Sequence, residues 1–152
     1  MKRKLVFLPI YIILLIAPCL LNSCEIESSD NGKLDGFWQL ATVDTLATGG
    51  SADMTETGLT WSFQGRLLQL REVTMKSKFD NILCRFSHNG NKLTVNNPVY
   101  VEREKGDPIV ENVDDLRPFG INNLEETFTV VTLSNKIMVL KSDHLQLNFR
   151  KY

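Results

Sequence analysis

Apolar and polar residues follow different patterns on the two sides of Cys24. Residues 5–21 contain no charged side chain, whereas the chain after Cys24 is polar and its apolar runs are short. From residue 34 onward, runs of apolar or β-branched residues alternate with Gly, Asn, Asp and Ser at short intervals. This spacing predicts an antiparallel all-β sandwich or barrel rather than a βαβ fold.

Alternation with a period of two residues marks the individual strands. It is clear in residues 82–87, and the dipeptide Asn89-Gly90 then predicts a tight hairpin turn with two positive-φ positions. Pro98 interrupts pairing, so residues 99–102 are either a bent continuation of the preceding strand or a new edge strand. The predicted strands are 37–44, 59–64, 67–73, 82–87, 92–96, 127–133, 136–140 and 145–152.

Two segments lack the strand pattern. Residues 46–58 contain two adjacent glycines and are predicted to be a long loop that can form a lid. In residues 102–123, Asn112 is placed to cap one short helical turn near 113–119. The eight predicted strands, of which the first and the last are both rich in apolar residues, predict a closed up-and-down barrel without open edges.

The amino-terminal segment has the features of a lipoprotein signal. Three cations at positions 2–4 precede the apolar run, and Leu21-Asn22-Ser23-Cys24 forms a lipobox, which predicts lipidation of Cys24 and cleavage before it. A retained membrane anchor and ordinary signal cleavage are the alternatives; Pro9 and Pro18 disfavour the anchor.

The chain therefore divides into three predicted parts: a signal peptide (1–23), a flexible polar tether (24–33) and one barrel domain (34–152). The predicted location is the bacterial outer membrane, at its periplasmic face or the cell surface, with the lipid on Cys24 as the membrane contact.

Charge and composition exclude several functions. The chain has 17 basic and 18 acidic residues, and because three of the basic residues precede Cys24, the remainder is acidic. An acidic domain is not expected to bind nucleic acid. Signal cleavage would remove Cys19 and lipidation would modify Cys24, so only Cys84 would remain as a free thiol. With one free thiol and two histidines, the chain is not expected to hold zinc or another cofactor.

No catalytic constellation stands out. Cys84 alternates with apolar residues, and His88 and His144 lie at or beside predicted turns. Glu125 and Glu126 are adjacent, so on a strand without a bulge they would point to opposite faces and could not act together on one bond; they are predicted to be solvated. The protein is therefore predicted not to be an enzyme.

The tripeptide Gly36-Phe37-Trp38 at the start of the first strand, together with the closing strands near 127–133, 137–140 and 145–150, carries a resemblance. Residues 34–152 resemble the lipocalins and their calycin relatives, and in particular small lipocalin-like lipoproteins of the Bacteroidetes. The resemblance implies that Gly36, Trp38 and Arg150 close one end of the barrel, with Arg150 covering the Trp38 ring.

Four aromatic residues lie on apolar strand faces, namely Trp61, Phe63, Phe86 and Phe128. They either fill the barrel or line a ligand cavity. The first interpretation of function is an envelope lipoprotein that binds a small apolar or amphipathic ligand. The alternative is an accessory lipoprotein with a filled barrel, which binds another envelope protein through its loops.

Overall fold

The computed structural model describes residues 29–74 and 78–152. The predicted signal peptide (1–23) and Cys24 lie outside the described residues. The described strands are β1 (Gly36–Thr45), β2 (Ser51–Asp53), β3 (Leu59–Gln64), β4 (Leu67–Glu72), β5 (Ile82–Asn89), β6 (Lys92–Tyr100), β7 (Glu126–Leu133), β8 (Ile137–Lys141) and β9 (Leu145–Lys151).

Eight of these strands form a closed antiparallel barrel. The order is β1-β3-β4-β5-β6-β7-β8-β9, and β9 pairs back with β1 from Trp38↔Lys151 to Thr45↔Leu145. The prediction of an eight-stranded up-and-down barrel is therefore confirmed. The short strand β2 pairs with the second half of β1, beyond the part of β1 that pairs with β3.

The two ends of the barrel differ in their connections. One end, here called the closed end, has the short turns at 65–66, 90–91 and 134–136 together with the segment that enters β1. The other end, here called the mouth, has the longer connections 46–50, 54–58 and 101–125, the described residues 73–74 and 78–81 between β4 and β5, and the turn at 142–144. Among the described residues, the longer connections between strands therefore gather at the mouth.

The β5–β6 hairpin turn differs from its prediction by one residue. Asn89 pairs with Lys92, so the turn residues are Gly90 and Asn91, and Gly90 has φ +60. A single positive-φ residue at the first turn position suits glycine, whereas the predicted turn needed two such positions. Strand β5 therefore extends to Asn89, two residues beyond the predicted strand 82–87.

Strand β6 continues through Pro98 to Tyr100. The pairing with β5 shifts register between Leu83 and Arg85, and Asn97 adopts φ +50. The stretch after Pro98 is thus the bent continuation of β6 and not a separate strand, because the irregularity accommodates the missing N–H donor of proline.

Five short 3₁₀ turns accompany the described strands, at Gly32–Leu34, Thr55–Thr57, Arg103–Lys105, Val113–Asp115 and Arg117–Phe119. The last two occupy the predicted helical turn at 113–119. The Asn112 side chain accepts a hydrogen bond from the Asp114 N–H at 3.0 Å, as expected of a cap. Within the described ranges, no helix has the length and apolar character needed to cross a membrane.

The buried apolar residues form one cluster in the barrel. Its members alternate along each strand, which is the period-two pattern visible in the sequence. The cluster also includes residues from outside the strands, which are Leu34 at the closed end and Val110, Leu116, Phe119 and Ile121 at the mouth.

Candidate functional site

The structure brings all four predicted ligand-lining residues together inside the barrel. Trp61 and Phe63 belong to β3, and their ring centroids lie 6.1 Å apart. Phe128 on β7 meets the Trp61 ring edge-on at 5.7 Å, and Phe86 on β5 meets the Phe63 ring edge-on at 5.0 Å. Edge-on contacts at these distances are favourable aromatic pairs.

These rings pack against one another and are almost completely buried. Trp61 and Phe128 are 0% exposed, Phe63 is 2% exposed and Phe86 is 8% exposed. A fifth ring, Phe149 on β9, lies 5.1 Å from Trp61. The sequence placed Phe149 on the apolar face of the last strand, but only the closure of β9 on β1 brings it to Trp61. Of the two roles considered for the aromatic residues, these contacts and the low exposure favour the filling role.

The connection between β6 and β7, here called the mouth segment (residues 101–125), covers this core. Its residues Leu116 and Phe119 are fully buried, and the Trp61 indole Nε1–H donates to the Phe119 carbonyl at 3.1 Å. At Gly120, φ is +86 and an added Cβ would lie 2.6 Å from the Leu147 side chain. The mouth segment therefore packs tightly on β3 and β9. Residues 51–53 of the loop predicted as a lid instead extend the barrel wall as β2.

A buried carboxylate fastens the mouth segment to β7. Glu126 is buried, and its Oε2 accepts a hydrogen bond from the Asn122 N–H. Burial raises the pKa of Glu126, although hydrogen bonds from the Asn122 and Asn123 backbone and from Ser142 and the charge of His144 oppose that shift. The prediction that Glu126 is solvated is corrected: the alternation of β7 places it on the inner face with Phe128, where it reaches the mouth segment.

The closed end has a cation over Trp38, but it is not the predicted one. The Lys151 Nζ lies 4.8 Å from the Trp38 ring centroid, and the Trp38 Nε1–H donates to the Leu34 carbonyl at 2.8 Å. Arg150 faces outward, where its Nε donates to Gln39 at 2.6 Å. The predicted Trp38–Arg150 contact is therefore corrected to Trp38–Lys151, because successive residues of β9 point to opposite sides.

Gly36 supports the same closure. It has φ +115, and an added Cβ would lie 2.9 Å from the Lys151 side chain. A side chain at position 36 would therefore be strained in its backbone and would also push the lysine from the Trp38 ring. The role in closing the barrel that was expected for Gly36 is consistent with this geometry.

The segment before β1 is bound to the closed end. The Asn31 Nδ2 donates to the Gly65 carbonyl at 2.7 Å, and the Gly65 N–H donates to the Ser29 Oγ at 2.9 Å. Asp35 accepts from both Ser29 and Asn31, at 2.6 Å and 2.8 Å. Residues 29–33 of the predicted tether thus contact the β3–β4 turn; residues 24–28 lie outside the described residues. An open depression of ≈ 330 Å³ next to these contacts is lined by Ser29, Asp35, Gly36, Phe37, Ser62, Phe63 and Gln64.

Comparison with known proteins agrees with this architecture. A family model described as a lipocalin-like domain matches residues 19–152. The chain belongs to this lipocalin-like family.

Two solved structures have the fold of this lipocalin-like domain. One is a lipocalin-like protein from Bacteroides uniformis, with a TM-score of 0.60 and 22% identity, covering 80% of this chain and 100% of that one. The other is an uncharacterized protein from Bacteroides eggerthii, with a TM-score of 0.58 and 18% identity, covering 78% of this chain and 99% of that one. No curated protein sequence matches the chain.

The described part of the lipocalin-like domain contains one cysteine thiol. Cys84 is buried, and burial raises the pKa of its thiol to about 12, which disfavours the thiolate, the form that acts as a nucleophile or metal ligand. In the described ranges, no three His, Cys, Asp or Glu side chains are close enough to hold a metal ion.

Proposed function

We propose that this protein is a membrane-anchored lipoprotein of the bacterial envelope whose filled lipocalin-like barrel presents mouth loops to a protein partner. This is the second of the two functions that the sequence left open. The observation that carries it is the interior: five aromatic rings pack in mutual contact, and Phe119 is buried with them. A preformed ligand pocket would have exposed apolar walls.

The surface of the mouth segment supports a role in partner binding. Ile109 is 71% exposed, and it is held in place by a β-bridge to Val99 of β6. Val101 is also exposed, and the Tyr100 N–H donates to the Pro108 carbonyl at 2.9 Å. An apolar side chain held outward on a bridged backbone loses little conformational freedom when it enters a partner's pocket.

Acidic residues surround this apolar position. Glu102, Glu104, Asp107 and Glu111 all lie within a few residues of Ile109 along the mouth segment. Lys105 pairs with Glu102 at 2.8 Å, which leaves the other carboxylates in excess over basic side chains here. A partner with an apolar pocket and a basic rim would fit this surface, since charge complementarity at the rim guides association.

Anchoring rests on the cations at positions 2–4, the apolar run 5–21 and the lipobox that ends at Cys24. Metabolic labelling with a fatty-acid analogue should mark the wild-type protein and not Cys24→Ala. Equal labelling of the two proteins would remove the basis for membrane attachment.

Partner binding is tested by placing a photo-crosslinking amino acid at Ile109 in cells. The matched control is the same substitution at Ile137, which is 52% exposed on β8 near the closed end. We expect an adduct of one defined mass at position 109 and none of that mass at position 137. The same adduct at both positions, or none at position 109, would contradict the proposal.

A small apolar ligand inside the barrel is the second candidate, and the lipocalin-like fold itself supports it. Phe86 is the most exposed of the four predicted lining rings, and it lies beside the closed-end turn, where its N–H donates to the Arg66 carbonyl at 3.3 Å. A ligand at about a hundred times its dissociation constant raises the unfolding free energy by ~2.7 kcal/mol. A melting screen of fatty acids, sterols, haem and aromatic metabolites that produces such a shift would favour this candidate over the filled scaffold.

A further inference from the structure

The first described residues leave the barrel at its closed end. Ser29 and Asn31 are hydrogen-bonded to Gly65 in the β3–β4 turn, and the Lys151 Nζ donates to the Lys33 carbonyl at 3.1 Å. Five residue steps separate Cys24 from Ser29, and a fully extended chain of that length spans at most ~17 Å. Any lipid on Cys24 therefore holds the closed end, and not the mouth, near the bilayer.

Charge is distributed unequally between the two ends. The described parts of the mouth connections, 46–50, 54–58, 73–74, 78–81, 101–125 and 142–144, contain ten acidic residues and four basic residues. The closed end has the opposite balance among the described residues, with Lys33, Arg66, Lys92, Lys136 and Lys151 against Asp30 and Asp35. Glu25 and Glu27 in the linking segment reduce this positive charge but do not reverse it. An anionic surface would attract the closed end and repel the mouth.

Apolar side chains accompany the cations at the closed end. Tyr152 is exposed beside Phe37, with the ring centroids 5.2 Å apart, and Leu67 and Ile137 are exposed at the first positions of β4 and β8. Backbone hydrogen bonds hold part of this rim together, because the Tyr152 N–H donates to the Phe37 carbonyl and the Lys151 N–H donates to the Lys136 carbonyl. A rim with tyrosine, aliphatic and basic side chains is typical of surfaces that sit at a lipid interface.

We propose that the closed end is a membrane-docking surface that seats on anionic lipid headgroups, with Lys33, Arg66 and Lys136 contacting phosphates and Leu67, Ile137 and Tyr152 entering the interface. This inference builds on the proposed membrane anchoring and adds the orientation: the mouth segment points away from the bilayer. Since the strands separate the two ends by roughly 20 Å, a probe that reports on headgroup distance distinguishes them.

The test attaches the barrel to vesicles without relying on lipidation in cells. Residues 1–24 are replaced by a hexahistidine tag that binds nickel-chelating lipid; every described contact lies within residues 29–152, so the barrel is retained. A fluorophore is coupled to Asn135→Cys in the closed-end turn or to Asn123→Cys in the mouth segment. The buried Cys84 does not compete for the label. Nitroxide-headgroup lipids then quench whichever probe is closer to the membrane.

On phosphatidylglycerol vesicles we expect the probe at position 135 to be quenched at least about threefold more strongly than the probe at position 123. Equal quenching, or stronger quenching at position 123, would overturn the orientation. The headgroup contact is tested separately with Lys33→Glu/Lys136→Glu, for which Lys78→Glu/Lys141→Glu at the mouth is the control with the same change in net charge.

The closed-end variant should show a smaller difference between the two probes, and so should the unchanged protein on phosphatidylcholine vesicles, whereas the mouth variant should keep the full difference. If the difference is undiminished in the closed-end variant and on phosphatidylcholine, the short tether alone orients the barrel and headgroup recognition is wrong. Failure of lipidation in cells would show in the Cys24→Ala labelling experiment and leaves this result unaffected.

Discussion

Removing the Phe128 ring tests whether the barrel is filled. This ring is completely buried and meets the Trp61 ring at 5.7 Å, so Phe128→Ala opens a void that the closed β-wall cannot readily collapse. Truncation of a buried phenylalanine costs about 3–5 kcal/mol, a large part of the roughly 5–15 kcal/mol that stabilises a typical domain. Urea unfolding followed by tryptophan fluorescence measures the loss as a lower midpoint with an unchanged slope.

The matched control is Phe79→Ala. Phe79 lies at the mouth, is 37% exposed and contacts the Phe119 ring at 6.3 Å, so its loss should cost less than about 1.5 kcal/mol. Benzene supplies a second readout, because an apolar void of this kind stays dry and accepts small apolar molecules. Benzene should therefore raise the melting temperature of Phe128→Ala and leave that of the wild type unchanged. A cost below about 1.5 kcal/mol for Phe128→Ala, or wild-type stabilisation by benzene, would refute the filled interior.

Two further predictions concern the mouth segment. Gly120→Ala should destabilise the fold by more than about 1 kcal/mol in thermal unfolding, since φ is +86 and the new Cβ would meet Leu147. The control Gly90→Ala has a positive φ but open space around it, so it should cost less. Equal costs for the two variants would contradict the packing argument. Burial raises the pKa of Glu126, so the folded state holds its proton more tightly than the unfolded state, and wild-type stability should fall as pH rises above the ordinary value of 4.5. Glu126→Gln should reduce this fall in unfolding experiments across pH, and an unchanged pH dependence would contradict the assignment.

Local patterns in the sequence predicted the wall of the barrel well. Strand β3 was predicted with its observed bounds, and the shared inner face of Trp61 and Phe63 followed from period two alone. Such patterns succeed because alternation is a property of each strand, whatever its neighbours are. The closing contact between β1 and β9 was also expected, since both strands are apolar and a free edge is unfavourable.

Contacts between segments far apart in the sequence were harder to predict from local patterns. The burial of Glu126 depends on the mouth segment folding back over β7, and no local pattern records that path. The contact of Arg150 with Trp38 was expected from the family resemblance, although the alternation of the last strand already placed Arg150 on the outer side. Where a family expectation and the local period disagree by one residue, the period decided correctly here in favour of Lys151.

The pairing of β1 with β9 determines when the barrel can close during synthesis. Thr42 and Asn148, 106 residues apart, are joined across it by a side-chain hydrogen bond of 2.8 Å. Strand β9 is the last strand to emerge, whether from a ribosome or from a translocation channel. The edge of β1 that pairs with β9 therefore stays unpaired until almost all of the chain has emerged. Such high contact order slows folding and exposes the chain to aggregation, which makes an escorting chaperone valuable during synthesis.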